Sequence, residues 1–304
     1  MNMLTRLAGL ALVAGSFAAA GGALAADWRD SVKEIRFGIL SGENEKDRVA
    51  RYTPMQDYLE KKLEAPVKIF TASSYSGVMQ ALSADQIEFA FFGSSSYAGA
   101  FEEMGDKVRP LLTRMNPDGS KGYYSVLATR CDSGLKSIED LKGKTLAFAD
   151  PNSTSGYAVP LFNLRKQGIN PDEYFEATPF SGSHENGIMG VYNKTYDAAV
   201  TWYTNENRSN IKRMADKGMI AQNDICVVWK SPEITNGPFA TRSNLPEGLI
   251  NEMVGAMTMF PAEMPDAMAK VIGEDMTFTP VTHRRYEWIV EMREELRKLR
   301  RNRG

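Results

Sequence analysis

Histidine and cysteine each occur only twice in the 304 residues. That is too few for an all-protein zinc site unless carboxylates help, which argues against a metalloenzyme. Neither sign of charge is in excess: 36 Lys and Arg stand against 38 Asp and Glu, a formal net charge of −2. No global basic field is present to recruit nucleic acid. The signatures G-x-S-x-G, G-x-x-x-x-G-K-[ST] and G-x-G-x-x-G are missing, and His184-Glu185 has no second His at position 188, so the zincin pattern fails. After the first 26 residues no run of 18 apolar residues occurs, so no later membrane span is expected. With 43% hydrophobic and 24% charged residues, 25 Gly and 14 Pro, the composition excludes a disordered or collagen-like chain.

What is present begins with an export signal. Arg6 precedes an apolar stretch from Leu7 to Ala20, and Ala23-Leu24-Ala25 supplies a small-x-small cleavage pattern. Residues 1–26 are therefore expected to be removed, leaving a soluble protein outside the cytoplasm, in the periplasm. In an oxidising compartment Cys131 and Cys226 are either paired or two separate buried thiols.

Strand and helix signals then alternate. Strands are expected at Glu34–Leu40, Val67–Phe70, Phe89–Phe92, Tyr123–Thr129, Thr145–Ala149 and Ala198–Thr201, with helical spacing over Tyr52–Leu63 and Ser76–Ala84. The alternation predicts an α/β fold of two lobes, with mixed sheets flanked by helices. Tyr124–Arg130 and Ile225–Lys230 read as crossover strands forming a hinge. Lobe one is then 27–126 plus 232–304, and lobe two is 127–231. Antiparallel crossovers would bring Cys131 beside Cys226, which favours a disulfide. The stripe Trp288, Ile289, Met292, Leu296 and Leu299 predicts a C-terminal helix, docked on its own lobe or forming a homodimer contact.

Chemistry concentrates where strands pass into helices. Asp150-Pro151-Asn152-Ser153-Thr154-Ser155-Gly156-Tyr157 gathers three hydroxyls and free backbone N–H groups at a helix start, an arrangement suited to an oxyanion. Ser and Thr are also ordinary helix caps, so the segment alone is weak. Pro160 makes the first turn irregular. Ser183-His184-Glu185 opens another helix, and the junctions around Ser73–Gly77 and Ser94–Ser96 add hydroxyls with no acid at their tips. In open α/β sheets ligands bind beyond the carboxyl ends of strands, so four such junctions favour an anion-binding cleft. A Ser153–His184 nucleophile pair oriented by Asp197 is the competing reading, a secreted hydrolase. Three clustered hydroxyls suit holding an oxyanion better than activating one oxygen.

These residues resemble the phosphonate-binding proteins of ABC transporters, in the wider phosphate/phosphite/phosphonate group. The resemblance rests on Asp150–Gly156, Ser183-His184-Glu185 and Gly122–Leu127, with Tyr75-Ser76-Gly77, Phe92-Gly93 and Lys230-Ser231-Pro232 as lesser anchors. It implies a hinged, non-enzymatic receptor without a cofactor, delivering a small phosphorus oxyanion to an inner-membrane permease, or alternatively a sensor module for the same ligands. It further implies that Ser153, Thr154 and Ser155 hold the oxyanion and a protonated His184 donates from the opposite side. Tyr75 and Tyr123 then come from the first lobe, Ser94 lies within reach, and Trp202 and Tyr203 wall the ligand's tail. Family members that bind aminoalkyl phosphonates carry carboxylates around the ammonium, where this chain aligns Thr204 and Gly237; a two-residue slip would bring Glu206 instead. The expected order is a phosphonate or phosphite with an uncharged tail, then 2-aminoethylphosphonate, then phosphate.

Overall fold

In the computed structural model, which describes residues 27–301, the first three strand signals form a parallel unit. β1 (Ile35–Ile39), β2 (Val67–Thr71) and β3 (Phe89–Phe91) are joined by α1 (Glu45–Leu63) and α2 (Tyr75–Ser83), the helical crossovers that parallel pairing requires. Their side chains alternate between two cores. Phe37 and Phe89 pack under α1, while Ala90 packs with Val78 and Leu82 of α2, so the strands are buried on both faces. α3 (Ser94–Met104) leads to β4 (Val108–Met115). Two late strands, β11 (Pro238–Arg242) and β12 (Thr277–Pro280), return to complete a six-stranded sheet in the order β12-β4-β11-β3-β1-β2. The export segment read at residues 1–26 lies outside the described residues.

The second sheet contains β5 (Gly122–Arg130), β6 (Leu146–Ala147), β7 (Ala198–Asn205), β8 (Arg208–Ser209), β9 (Ile225–Lys230) and β10 (Ile234–Thr235). Around it lie α4 (Val159–Lys166), α5 (Pro171–Tyr174), α6 (His184–Tyr192) and α7 (Asn210–Asp216). The strand expected over Thr145–Ala149 shortens to β6. Its flanks make single parallel bridges, Thr145 to Ala177 and Phe148 to Phe180.

The two segments read as crossovers both belong to the second sheet, where β5 and β9 pair antiparallel with Thr129 opposite Cys226. The chain passes between sheets before β5, at 116–121, and after β10, at 236–237. Sheet membership therefore shifts the boundaries away from 126 and 231. Alternating apolar residues mark a strand but not the sheet it joins. Beside the β5–β9 ladder Cys131 and Cys226 form a disulfide with Cα atoms 4.9 Å apart.

After α8 (Glu247–Glu263) and α9 (Pro265–Val271), which cover the first sheet, the chain ends in α10 (Glu287–Arg301). Ile289, Met292 and Leu296 are buried against Ala98 of α3, Val159 and Leu161 of α4, and Ile234 of β10. Three residues of the stripe are thus covered by the protein's own chain, while Trp288 and Leu299 are not buried. Trp288 keeps 38% exposure and donates to Thr235 Oγ1 at 3.2 Å.

The disulfide closes a sequence separation of 95 residues. Replacing both cysteines by Ser is expected to lower unfolding stability by about 2–4 kcal/mol, read by urea denaturation under non-reducing conditions. An unchanged midpoint would show that the bridge does not restrain the unfolded chain.

Candidate functional site

Between the lobes lies a cavity of about 180 Å³. Its hydroxyl-rich end is built by the segment that leaves β6. Ala158 N donates to Ser153 O at 3.0 Å, an i→i+5 bond, so Thr154–Ala158 form one wide π turn before α4 begins. The cause is local. Pro160 has no N–H to give the carbonyl of Gly156, which accepts instead from Ala149 N at 2.8 Å. This turn presents Ser153, Thr154 and Ser155 consecutively to the cavity. Ser153 Oγ accepts from Gly156 N at 3.0 Å. No side chain fits at Gly156, where a Cβ would lie 2.6 Å from Ala149 Cβ and 2.8 Å from His184 Cε1.

Two phenols complete this end. Tyr75, the first residue of α2, interacts with Ser153, and Tyr123 on β5 interacts with Thr154 and Ser155. Tyr123 thus belongs to the second sheet, not the first lobe as expected, because the crossing precedes it. Burial raises the pKa of both phenols, which keeps them as donors. Ser94 is fully buried with its hydroxyl 3.4 Å from Thr154 Oγ1, and Ser95 N donates to Thr154 Oγ1 at 2.8 Å. Ser94 therefore braces Thr154 across the lobes and does not line the cavity.

His184 opens α6, capped by Ser183, whose Oγ accepts from Asn186 N at 3.1 Å. Its Nε2 is 3.2 Å from Ser153 Oγ and its Nδ1 is 3.2 Å from Thr201 Oγ1. Burial, reinforced by Arg213, pushes its pKa down to about 3. The ring is neutral near pH 7, contrary to the protonated donor expected. In the tautomer where Thr201 donates to Nδ1 and Nε2–H donates to Ser153, the Ser153 proton is left for a ligand oxygen. Asp197 accepts from Thr145 N at 2.9 Å and so does not orient His184.

The other end of the cavity is cationic. Trp202 and Thr204 line it together with Arg51, Arg114, Arg208, Arg213 and Glu43. Tyr203 faces the opposite side of β7, beside Lys230 at 5.6 Å, because successive strand residues alternate. Glu206 is exposed, and residue 237 admits no side chain, since a Cβ would lie 1.9 Å from Phe92 O. Burial alone would raise the Glu43 pKa, but Arg213 and Arg51 bring it down to about 2. Glu43 pairs with Arg51, with Arg213 at 3.5 Å and with Lys217 at 3.1 Å. Lys217 also reaches Asp47 at 3.0 Å and Glu185 at 2.7 Å, and Glu185 accepts from Asn44 N at 2.8 Å. These contacts join the 43–47 segment of lobe one to α6 and α7 of lobe two. The arginines went unread in the sequence because they come from four separate elements. One trace was present: Arg48 and Arg51 share the face of α1 that carries Tyr52, Met55 and Leu59, where apolar residues are expected.

An unfolded chain protonates His184 near pH 6.5, whereas the folded one does so only near 3. More protons bind the unfolded state in that window, so stability is full above it and falls with pH by up to about 1.4 kcal/mol per unit. His184→Asn is expected to flatten this slope between about pH 6.5 and 4 relative to the parent, read from unfolding free energies along the pH series. Identical slopes would show that His184 titrates like an exposed imidazole.

A family profile described as "ABC transporter, phosphonate, periplasmic substrate-binding protein" matches residues 37–286. The chain is 34% identical over 220 residues to the phosphonates-binding periplasmic protein of Escherichia coli, covering 71% of this chain and 62% of that protein. It is 31% identical over 234 residues to the phosphate-import protein PhnD of Mycolicibacterium smegmatis, covering 74% and 70%. The crystal structure of a binding-protein component of an ABC phosphonate transporter from Pseudomonas aeruginosa superposes with a TM-score of 0.77 at 26% identity, covering 86% and 85%. A match that runs unbroken from β1 to the turn before α10, across both sheets and the cleft between them, makes this chain a member of the periplasmic substrate-binding proteins of phosphonate ABC transporters.

Proposed function

We propose that the protein captures a small phosphorus oxyanion between its lobes and delivers it to a membrane permease. The observation that carries this reading is the convergence of the Ser153, Thr154 and Ser155 hydroxyls with Tyr75, Tyr123 and neutral His184 in a cavity whose one lining carboxylate, Glu43, is already paired with cations. Such donors serve a tetrahedral oxyanion by hydrogen bonds, and the arginines lining the same cavity add favourable charge. Ligand contacts drawn from both lobes favour the closed arrangement over an open one, which is how binding becomes a signal to a partner. The phosphonate and phosphate ligands named for the two relatives support the ligand class. The signal pattern in residues 1–26 and the disulfide support export to the periplasm.

Calorimetric titration of protein freed of ligand by unfolding and refolding tests this with methylphosphonate, phosphite, phosphate, 2-aminoethylphosphonate and sulfate. Phosphonate or phosphite is expected to bind while sulfate stays silent. Ser153→Ala and Ser155→Ala are each expected to weaken binding about tenfold or more, since a hydrogen bond to a charged group is worth about 1.5–3 kcal/mol. Silence across the panel would overturn the reading.

A further inference from the structure

We infer that the ligand carries a second anionic group, a carboxylate on the carbon side of its phosphonate, held by the arginines at the cationic end of the cleft. This rests on the receptor reading above and specifies its ligand class. The hydroxyl donors line only the inner cavity, whereas Arg51, Arg208, Arg213, Trp202 and Thr204 also line a larger hollow of about 1290 Å³ that adjoins it. A ligand seated by its phosphonate on Ser153–Ser155 and extending outward therefore meets the guanidinium groups.

The larger hollow is balanced, with Asp47, Asp118, Asp216, Glu233, Glu274 and Asp275 among its lining, but the charge facing the inner cavity is not. The inner cavity is lined by four arginines and one carboxylate, Glu43, which is engaged by Arg51, Arg213 and Lys217. Among the described residues Arg208 has neutral partners only: its Nε and Nη2 donate to Ile272 O at 3.1 and 2.7 Å, and its Nη1 is 3.4 Å from Asn116 Oδ1. Burial, with Arg114 and Arg213 nearby, pushes its pKa down to about 9, so it remains charged at neutral pH but against resistance. Arg213 Nε is buried with no hydrogen-bond partner.

The three tail chemistries fare differently here. Within the inner cavity an ammonium would join four cations and find Glu43 occupied, and the Trp202 face is already taken by Arg213 at 4.9 Å. An uncharged tail, the preference expected from the sequence, would leave the phosphonate as the only counter-charge added to four guanidinium groups. A carboxylate supplies the missing charge and the bidentate geometry that guanidinium favours.

The test is titration calorimetry of the ligand-free protein with phosphonoacetate, 3-phosphonopropionate, propylphosphonate and 2-aminoethylphosphonate. At least one carboxylated ligand is expected to bind about tenfold or more tighter than propylphosphonate, with 2-aminoethylphosphonate weakest, since each tenfold is about 1.4 kcal/mol. In Arg208→Gln the affinity ratio of the preferred carboxylated ligand to propylphosphonate should fall toward one. Arg114→Gln is read the same way and serves if the first variant does not fold. Propylphosphonate or 2-aminoethylphosphonate binding as tightly as both carboxylated ligands would overturn the carboxylate assignment and leave the receptor reading intact. A ratio unchanged in both variants would overturn the role of the arginines. No binding by any phosphonate would instead overturn the receptor reading itself.

Discussion

A carboxylate cannot be buried without positive charge around it, and Glu43 is where this chain meets that constraint. The residue lies just past β1 in lobe one, but two of the cations around it, Arg213 of α7 and Lys217 just after that helix, come from lobe two. Arg51 of α1 pairs with Glu43 within lobe one, and the other two pairs require the lobes to be together. Lys217 extends the same charge group to Asp47 and Glu185, and Glu185 accepts a hydrogen bond from Asn44 N. Folding within a lobe and closure between lobes are joined by one buried acid. Breaking a pair of this kind by removing one member typically destabilises by about 3–5 kcal/mol, because the survivor is left charged and dry.

Closure in turn depends on a topology that makes the chain cross between sheets twice. β11 inserts between β3 and β4, so lobe one is complete only after the second lobe has been built. α10 then packs along the junction, touching α3 on one side and α4 on the other. Arg293 ties it further to Ser95 Oγ at 3.0 Å and to Glu102. Ser95 is also the residue whose amide holds Thr154, so the last helix and the hydroxyl-bearing turn share one short segment of α3.

The parts of this design that were legible in the sequence are those carried by contiguous residues. Asp150–Gly156 announced its chemistry because three hydroxyls and a helix start coincide within a few positions, and Pro160 announced an irregular turn. Tyr75, Tyr123 and His184 followed from the resemblance. What escaped depends on distance in the chain. The arginines converge from α1, β4, β8 and α7, and no local pattern marks Arg114 or Arg208. The charge state of His184 was misread because it is set by burial and by Arg213, 29 positions away in sequence, rather than by its neighbours. Tyr203 was misread more simply: adjacent strand residues cannot both face one cavity, and Trp202 and Thr204 took that side.

The wide turn at Thr154–Ala158 has a consequence for how this site can vary. It holds one residue more than a regular α turn. Deleting a single residue there would remove the extra position and rotate everything upstream of the deletion by about 100° relative to α4. The hydroxyls of Ser153, Thr154 and Ser155 would swing away together, with no change to any of them. The placement of these hydroxyls is thus encoded in the length of the backbone as much as in side-chain identity, and a gap can dismantle the cluster as readily as a substitution.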